Sequence, residues 1–276
     1  MSGNPKTPST GPDTGGVGAA LPHDSAAKHV SGAAVYIDDM PDLPGTLHAA
    51  IVKSARPHAR IVGIDPAAAL AMPGVVGFVS AADIPGANDI APILSGEPCL
   101  ADGVAEYHGQ PLGAVAAETF EAARDAAKAV AVAYQDLPPV LSIEEALAAK
   151  SFVSAPQEMK AGDAAGALAR AKNRLKGRVT CGGQDHFYLE GQIALAVPQE
   201  DRDMLVFSST QHPSESSTAW RICLASIPVT SPWRCGAWAA ASAARKAIPR
   251  SSPGSPHCWP TGCGGRSNCV FRATTT

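Results

Sequence analysis

Two short stretches hold most of the side chains able to do chemistry. GGQDHFYLEGQ (182–192) sets amides, carboxylates, an imidazole and two aromatics among glycines, and SSTQHPSE (208–215) follows after one short apolar run. Nothing else in the chain packs as many polar side chains among aromatics and glycines. A bland reading stands beside this one. Gly182-Gly183 suits a bulge or turn, and a lone Gln or His beside strands commonly serves structure alone. The chain on either side decides between them.

The elements that must position these residues read as alternating strands and helices. Apolar runs at 46–54, 59–64, 75–80, 104–107 and 112–117 are bounded by Pro and Gly, the pattern of sheet strands, with the last two joined as a hairpin through His108-Gly109-Gln110-Pro111. Asp65 caps a helix over 66–72, and Thr119 caps one over 120–130, where Ala123, Ala126, Ala127 and Val130 share a face. A strand over 130–134 returns, and Ser142 opens a short helix with Glu144 and Glu145 in its first turn. Asp38-Asp39 and Glu144-Glu145 are read as solvated turn or helix-start acids, so neither pair carries a catalytic claim. Residues 151–162 lack periodicity and read as a linker, a helix follows over 163–175, and strands are expected at 178–181, 193–197 and 204–208. The expected fold class is mixed α/β (α+β), with residues 1–20 a disordered lead, 21–150 one domain, and 163–215 the start of a second. The chemical stretches fall at strand ends of that second domain, where a rigid scaffold usually presents function.

Composition bounds the rest. The chain has 276 residues, 45% hydrophobic, and seven cysteines, of which only Cys99 and Cys181 precede Ser216. No disulfide framework is suggested, no run approaches the roughly 18 apolar residues of a membrane helix, and no secretory leader pattern opens the chain. A cytoplasmic location is the expectation. All 25 acidic residues lie at or before Glu215, whereas all four tryptophans and five of the seven cysteines lie after it. Such a break in several measures at one point is how a foreign segment looks.

The segments HDSAAKHVSGAAVYIDDMPDLPGTLHAAIVKSARPHARI, AADIPGANDIAPILSGEPCLA and VAEYHGQPLGAVAAET, together with the two chemical stretches, resemble the molybdenum hydroxylase family. Within it, the likeness is to the molybdopterin-binding large subunit of xanthine dehydrogenase, over about residues 23–215. The resemblance implies an α/β hammerhead domain over 21–150, without catalytic residues, followed by the start of a molybdopterin-binding domain. It implies that Gln211 hydrogen-bonds near an oxo or sulfido ligand of molybdenum, and that the intact enzyme hydroxylates an electron-poor carbon of hypoxanthine or xanthine with water-derived oxygen. Aldehydes or other N-heterocycles are alternative substrates. Electrons leave through 2Fe-2S centres and FAD, which the resemblance assigns to a separate small subunit, since the chain has no cysteine cluster able to hold them. No nucleic-acid or membrane partner is implied.

Past Glu215 the family pattern stops. Residues 233–246 (WRCGAWAAASAARK) can be written in codons that, read one base earlier, spell VEVRRMGGGFGGKE, the Gly-rich cofactor loop the family would supply next. Residues 216–233 similarly conceal VQHGVAHMLGIHSRHLAVE. The expectation is therefore an out-of-frame tail over 216–276, disordered, with no catalytic residue intact and no cofactor bound by this chain alone. The alternative function is a non-catalytic hammerhead module serving assembly. His257, Cys258, Cys263 and Cys269 match no usual zinc-knuckle spacing, and the basic, Trp-containing tail only mimics a nucleic-acid segment.

Overall fold

A computed structural model describes residues 22, 25–91, 95–183, 190–199, 204–224 and 270–275, the last six by their backbone. Strand β1 (Thr46–Lys53) pairs antiparallel with β5 (Pro111–Ala117), which pairs on its other side with β3 (Val75–Ser80). All seven residues of β5 are buried, as its unbroken apolar run requires. Helix α3 (Phe120–Ala129) packs on this sheet through Ala123 and Ala126, and the Thr119 hydroxyl accepts from the Ala122 amide at 3.1 Å to start it. A second sheet joins β4 (Val104–Ala105), β2 (Ala59–Asp65) and β6 (Ala131–Asp136) in the order β4-β2-β6.

That arrangement corrects the expected hairpin. β4 and β5 lie in different sheets, because the intervening segment bonds elsewhere: Gly109 donates to Ser54 O at 2.8 Å and Ser54 donates to Gln110 O at 2.8 Å. The buried Gln110 side chain accepts from the Glu106 amide at 2.7 Å, a bond that a tight turn would otherwise have supplied from backbone. Shorter helices complete this part of the chain: α1 (Ala26–Ser31), α2 (Ala67–Leu70) and α4 (Ile143–Ala149), the last with the Ser142–Glu145 capping box expected of it.

Beyond residue 150 order thins. Residues 151–162 are exposed and irregular, and α5 (Ala164–Arg170) stops five residues short of the expected Leu175, which is fully exposed. A helix with no buried face gains little from packing and ends early. The strand expected at 178–181 is absent; those residues are exposed and irregular, and Arg178 reaches back to Glu144. Order resumes with the antiparallel pair β7 (Gln192–Pro198) and β8 (Met204–Ser208), then α6 (Pro213–Leu224). Strand β9 (Val270–Thr275) lies between β1 and β7, completing a six-stranded sheet in the order β3-β5-β1-β9-β7-β8.

The expectation of disorder over the whole of 216–276 is thus corrected at both ends: α6 runs through Ser216 without a break, and 270–275 form a strand. Both outcomes follow from local chemistry. SSTAWRICL tolerates helix, and VFRATT is rich in β-formers that satisfy the facing backbone edges of β1 and β7. Residues 1–20 and 225–269 lie outside the described residues.

α6 docks on the 84–87 loop, where Gly86 donates to Cys223 O at 2.7 Å and Ala87 to Ile222 O at 3.0 Å. A Cβ on Gly86 would stand 2.1 Å from Ile222 O, a contact neither backbone can accept unmoved. Gly86→Ala is therefore expected to lift the end of α6 and open the buried cluster of Ile84, Ile90, Cys99, Leu100 and Cys223. Alkylation of Cys223 read by mass spectrometry checks this: protected in the parent chain, it should approach the rate of exposed Cys181 in the variant, and unchanged protection would contradict the docking.

In the same region the Asp89 carboxylate accepts from the amides of Ala91, Gly96 and Glu97 at 2.9, 2.8 and 3.3 Å. The Ala91 bond, then the Gly96 bond, hold its pKa below the ordinary 3.8, against a smaller opposing effect of burial. A folded-state pKa below the unfolded one stabilises above the unfolded value and is lost as pH falls through the folded one. The stability gap between the parent chain and Asp89→Asn should accordingly hold steady above pH 3.8 and close below it in thermal melts. A gap that stays open in acid would contradict the assignment.

Candidate functional site

The site is built where β8 ends. Pro213 takes the first helical position of α6, where its missing N–H costs nothing, and Glu215 sits in the first turn, where a negative charge suits the helix dipole. The chain must turn sharply between Ser208 and Pro213, and three hydroxyls hold that turn. The Ser209 hydroxyl donates to Gly191 O at 2.9 Å and accepts from the Ile193 amide at 3.1 Å, while the Ser209 amide donates to Ile193 O at 3.1 Å. The Thr210 hydroxyl accepts from the His212 amide at 3.1 Å and lies 3.3 Å from the Ser216 hydroxyl. Gln211, half-buried, is carried at the centre of this turn, two residues before Pro213, the first residue of a 12-residue helix.

The first chemical stretch meets this turn at its end. Gly191 and Ile193 bond to Ser209, and Glu190 is buried, its Oε1 accepting from the Ile37 amide at 3.3 Å. Residues 184–189 lie outside the described residues. Gly182 and Gly183 are exposed, with open space where a Cβ would sit. The structure therefore joins the 190–193 end of one motif to the Gln211 turn of the other. Neither the Glu190–Ile37 contact nor the Ser209 bracket was read from sequence; the first spans 153 residues, and Ser209 looked like one more polar turn residue.

Other expected features take structural roles. Asp39 accepts from the Tyr36 amide at 2.9 Å to cap the short 3₁₀ turn Ile37–Asp39, and Glu145 completes its capping box. Among the described residues, no group of three or more His, Cys, Asp or Glu could hold a metal ion. The tail residues His257, Cys258, Cys263 and Cys269 lie outside the described residues. A cavity of about 530 Å³ between β1, α3 and β6 contains no residue of 182–212 and so takes no part in the site.

Residues 31–138 match the a/b hammerhead domain of aldehyde oxidase and xanthine dehydrogenase, and residues 147–226 match the molybdopterin cofactor-binding domain. The chain belongs to the aldehyde oxidase and xanthine dehydrogenase family. It is 44% identical over 204 residues to xanthine dehydrogenase of Blastobotrys adeninivorans, covering 72% of this chain and 14% of that protein. It is 43% identical over 206 residues to nicotinate hydroxylase of Emericella nidulans, covering 72% of this chain and 15% of that protein. Quinoline 2-oxidoreductase from Pseudomonas putida 86 superposes with a TM-score of 0.68 at 25% identity, over 93% of this chain and 34% of the other. The chain thus spans about one-seventh of the length of the curated relatives named here.

The hammerhead fold with the beginning of a molybdopterin-binding domain agrees with the mixed α/β reading of the sequence. The residues at the turn fit one side of a site for an anionic cofactor: an uncharged amide with two N–H donors, next to the positive end of a helix. Among the described residues, no helix is long and apolar enough to cross a membrane.

Proposed function

We propose that the chain is the front part of the large subunit of a xanthine dehydrogenase-like molybdenum hydroxylase, with Gln211 facing the molybdenum environment. The observation that carries this is the Gln211 turn, bracketed by Ser209 against Gly191 and Ile193 within the matched cofactor-binding domain. When bound, the molybdopterin group supplies the two-electron oxidation that hydroxylates an electron-poor carbon with water-derived oxygen. The chain's own contribution is to present the Gln211 amide at a fixed place without adding a titratable group. The hammerhead supplies the platform against which that place is fixed.

The substrate proposed is hypoxanthine or xanthine. A purine dehydrogenase and a nicotinate hydroxylase match this segment almost equally, at 44% and 43%, so the segment itself does not choose between purines, aldehydes and other heterocycles. Electrons pass to a small subunit carrying FAD and 2Fe-2S clusters. Residues 216–276 are proposed to be read out of frame. The 276 residues contain no GGGFGG-like loop and none of the substrate-orienting acid beside it, so the chain is expected to be inactive alone.

A second reading follows from the same sequence: the chain acts as a non-catalytic hammerhead module for assembly. Two experiments separate these. Sequencing the gene across the Glu215 codon tests the frame, an intact frame with no insertion or deletion sinking that part. Restoring the frame and co-expressing the small subunit should give molybdopterin-loaded protein with xanthine-dependent dye reduction. A 276-residue chain that is monodisperse and binds the small subunit without cofactor favours the module instead.

A further inference from the structure

We propose that Glu190 is a positioning residue for the Gln211 turn, transmitting the placement of the hammerhead domain into the cofactor-binding domain. Glu190 is only 4% exposed, and a buried carboxylate is costly unless hydrogen-bonded. Its Oε1 accepts from the amide of Ile37, the first residue of the 3₁₀ turn Ile37–Asp39, at 3.3 Å. The neighbouring Tyr36 amide is already bound to Asp39. Ile37 is itself fully buried, and its side chain packs against Ile193 and Leu195 of β7. One residue of the hammerhead therefore holds both the acid that ends the first motif and the strand that follows it.

From Glu190 the path to Gln211 is short. Gly191 is the next residue, its carbonyl accepts from the Ser209 hydroxyl at 2.9 Å, and Gln211 stands two residues further along. Ser209 also exchanges bonds with Ile193 in both directions, so the turn cannot shift without breaking contact with the segment Glu190 anchors. An apolar residue at 190 would fill the space but remove the acceptor that the Ile37 amide meets there. The role asked of Glu190 is that of an acceptor oxygen at a fixed point, which Gln can also supply.

The proposal rests on the assignment of Gln211 to the cofactor site, yet hydrogen exchange reads the turn's placement with or without cofactor, so the two can fail separately. In the full 276-residue chain, Glu190→Ala should raise exchange of the 208–212 amides about tenfold, the scale of one lost buried hydrogen bond in a locally opening segment, while β1 and β5 stay protected. Glu190→Gln should restore protection, and Ser209→Ala should reproduce the Glu190→Ala pattern. Unchanged exchange at 208–212 in Glu190→Ala, or a Glu190→Gln chain as open as Glu190→Ala, would overturn the proposal.

Discussion

Leu112→Ala should lower the unfolding free energy by about 3 kcal/mol, the middle of the range for emptying a fully buried leucine site. Leu112 is 0% exposed in β5, the strand that pairs with both β1 and β3, and it belongs to the cluster that contains Val52, Val115, Ala126 and Val130. The site has little room to collapse. Its neighbours on β5 are Pro111 and Gly113, and a Cβ on Gly113 would already stand 2.5 Å from Val79 O, so the backbones of β5 and β3 are held in close approach. Transfer and cavity costs should therefore both appear. Urea unfolding of parent and variant checks the figure: a shifted midpoint with an unchanged slope is expected. A loss under about 1 kcal/mol would mean that the hammerhead core is not built around β5.

The hammerhead was legible in the sequence because its elements are locally consistent. Thr119 before an alanine-faced helix, Ser142 three residues ahead of Glu145, and the apolar run of β5 each specify their element without distant help. What failed had one cause, tertiary choice among equally good local options. Gly109-Gln110-Pro111 carries turn chemistry, yet bonds to Ser54 draw it away from a hairpin. Residues 171–181 have helix and strand formers but no apolar surface to cover, with Leu175 and Val179 both exposed. At the candidate site, Gln211 could be named from its motif, while the groups that hold it could not. Glu190 finds Ile37 across 153 residues, and no local pattern encodes such a contact.

The tail shows the same principle from the other side. The composition breaks at Glu215, yet the match to the cofactor-binding domain runs on to residue 226, and backbone hydrogen bonding is indifferent to composition. α6 continues to Leu224, and 270–275 fill the gap between β1 and β7. Cys223 illustrates the consequence: it is buried beside Cys99, and a hydrogen bond from Cys99 holds its thiol below the ordinary range against the opposing effect of burial.

We propose that the Gln211 amide acts at the molybdenum environment and that Ser209, Thr210 and Glu190 hold it in place. An amide aimed at an anionic centre in a water-poor site contributes on the scale of an oxyanion-hole donor, whose removal costs about 10²-fold or more in turnover. Gln211→Ala should leave the fold intact, because the Ser209 and Thr210 bonds across the turn remain. The direct measurement is xanthine-dependent dye reduction by the frame-restored large subunit with its small subunit, parent against Gln211→Ala, at matched molybdopterin content. Unchanged cofactor content and turnover lower by about 10²-fold are expected; equal turnover at equal cofactor content would contradict a role for Gln211 at the molybdenum.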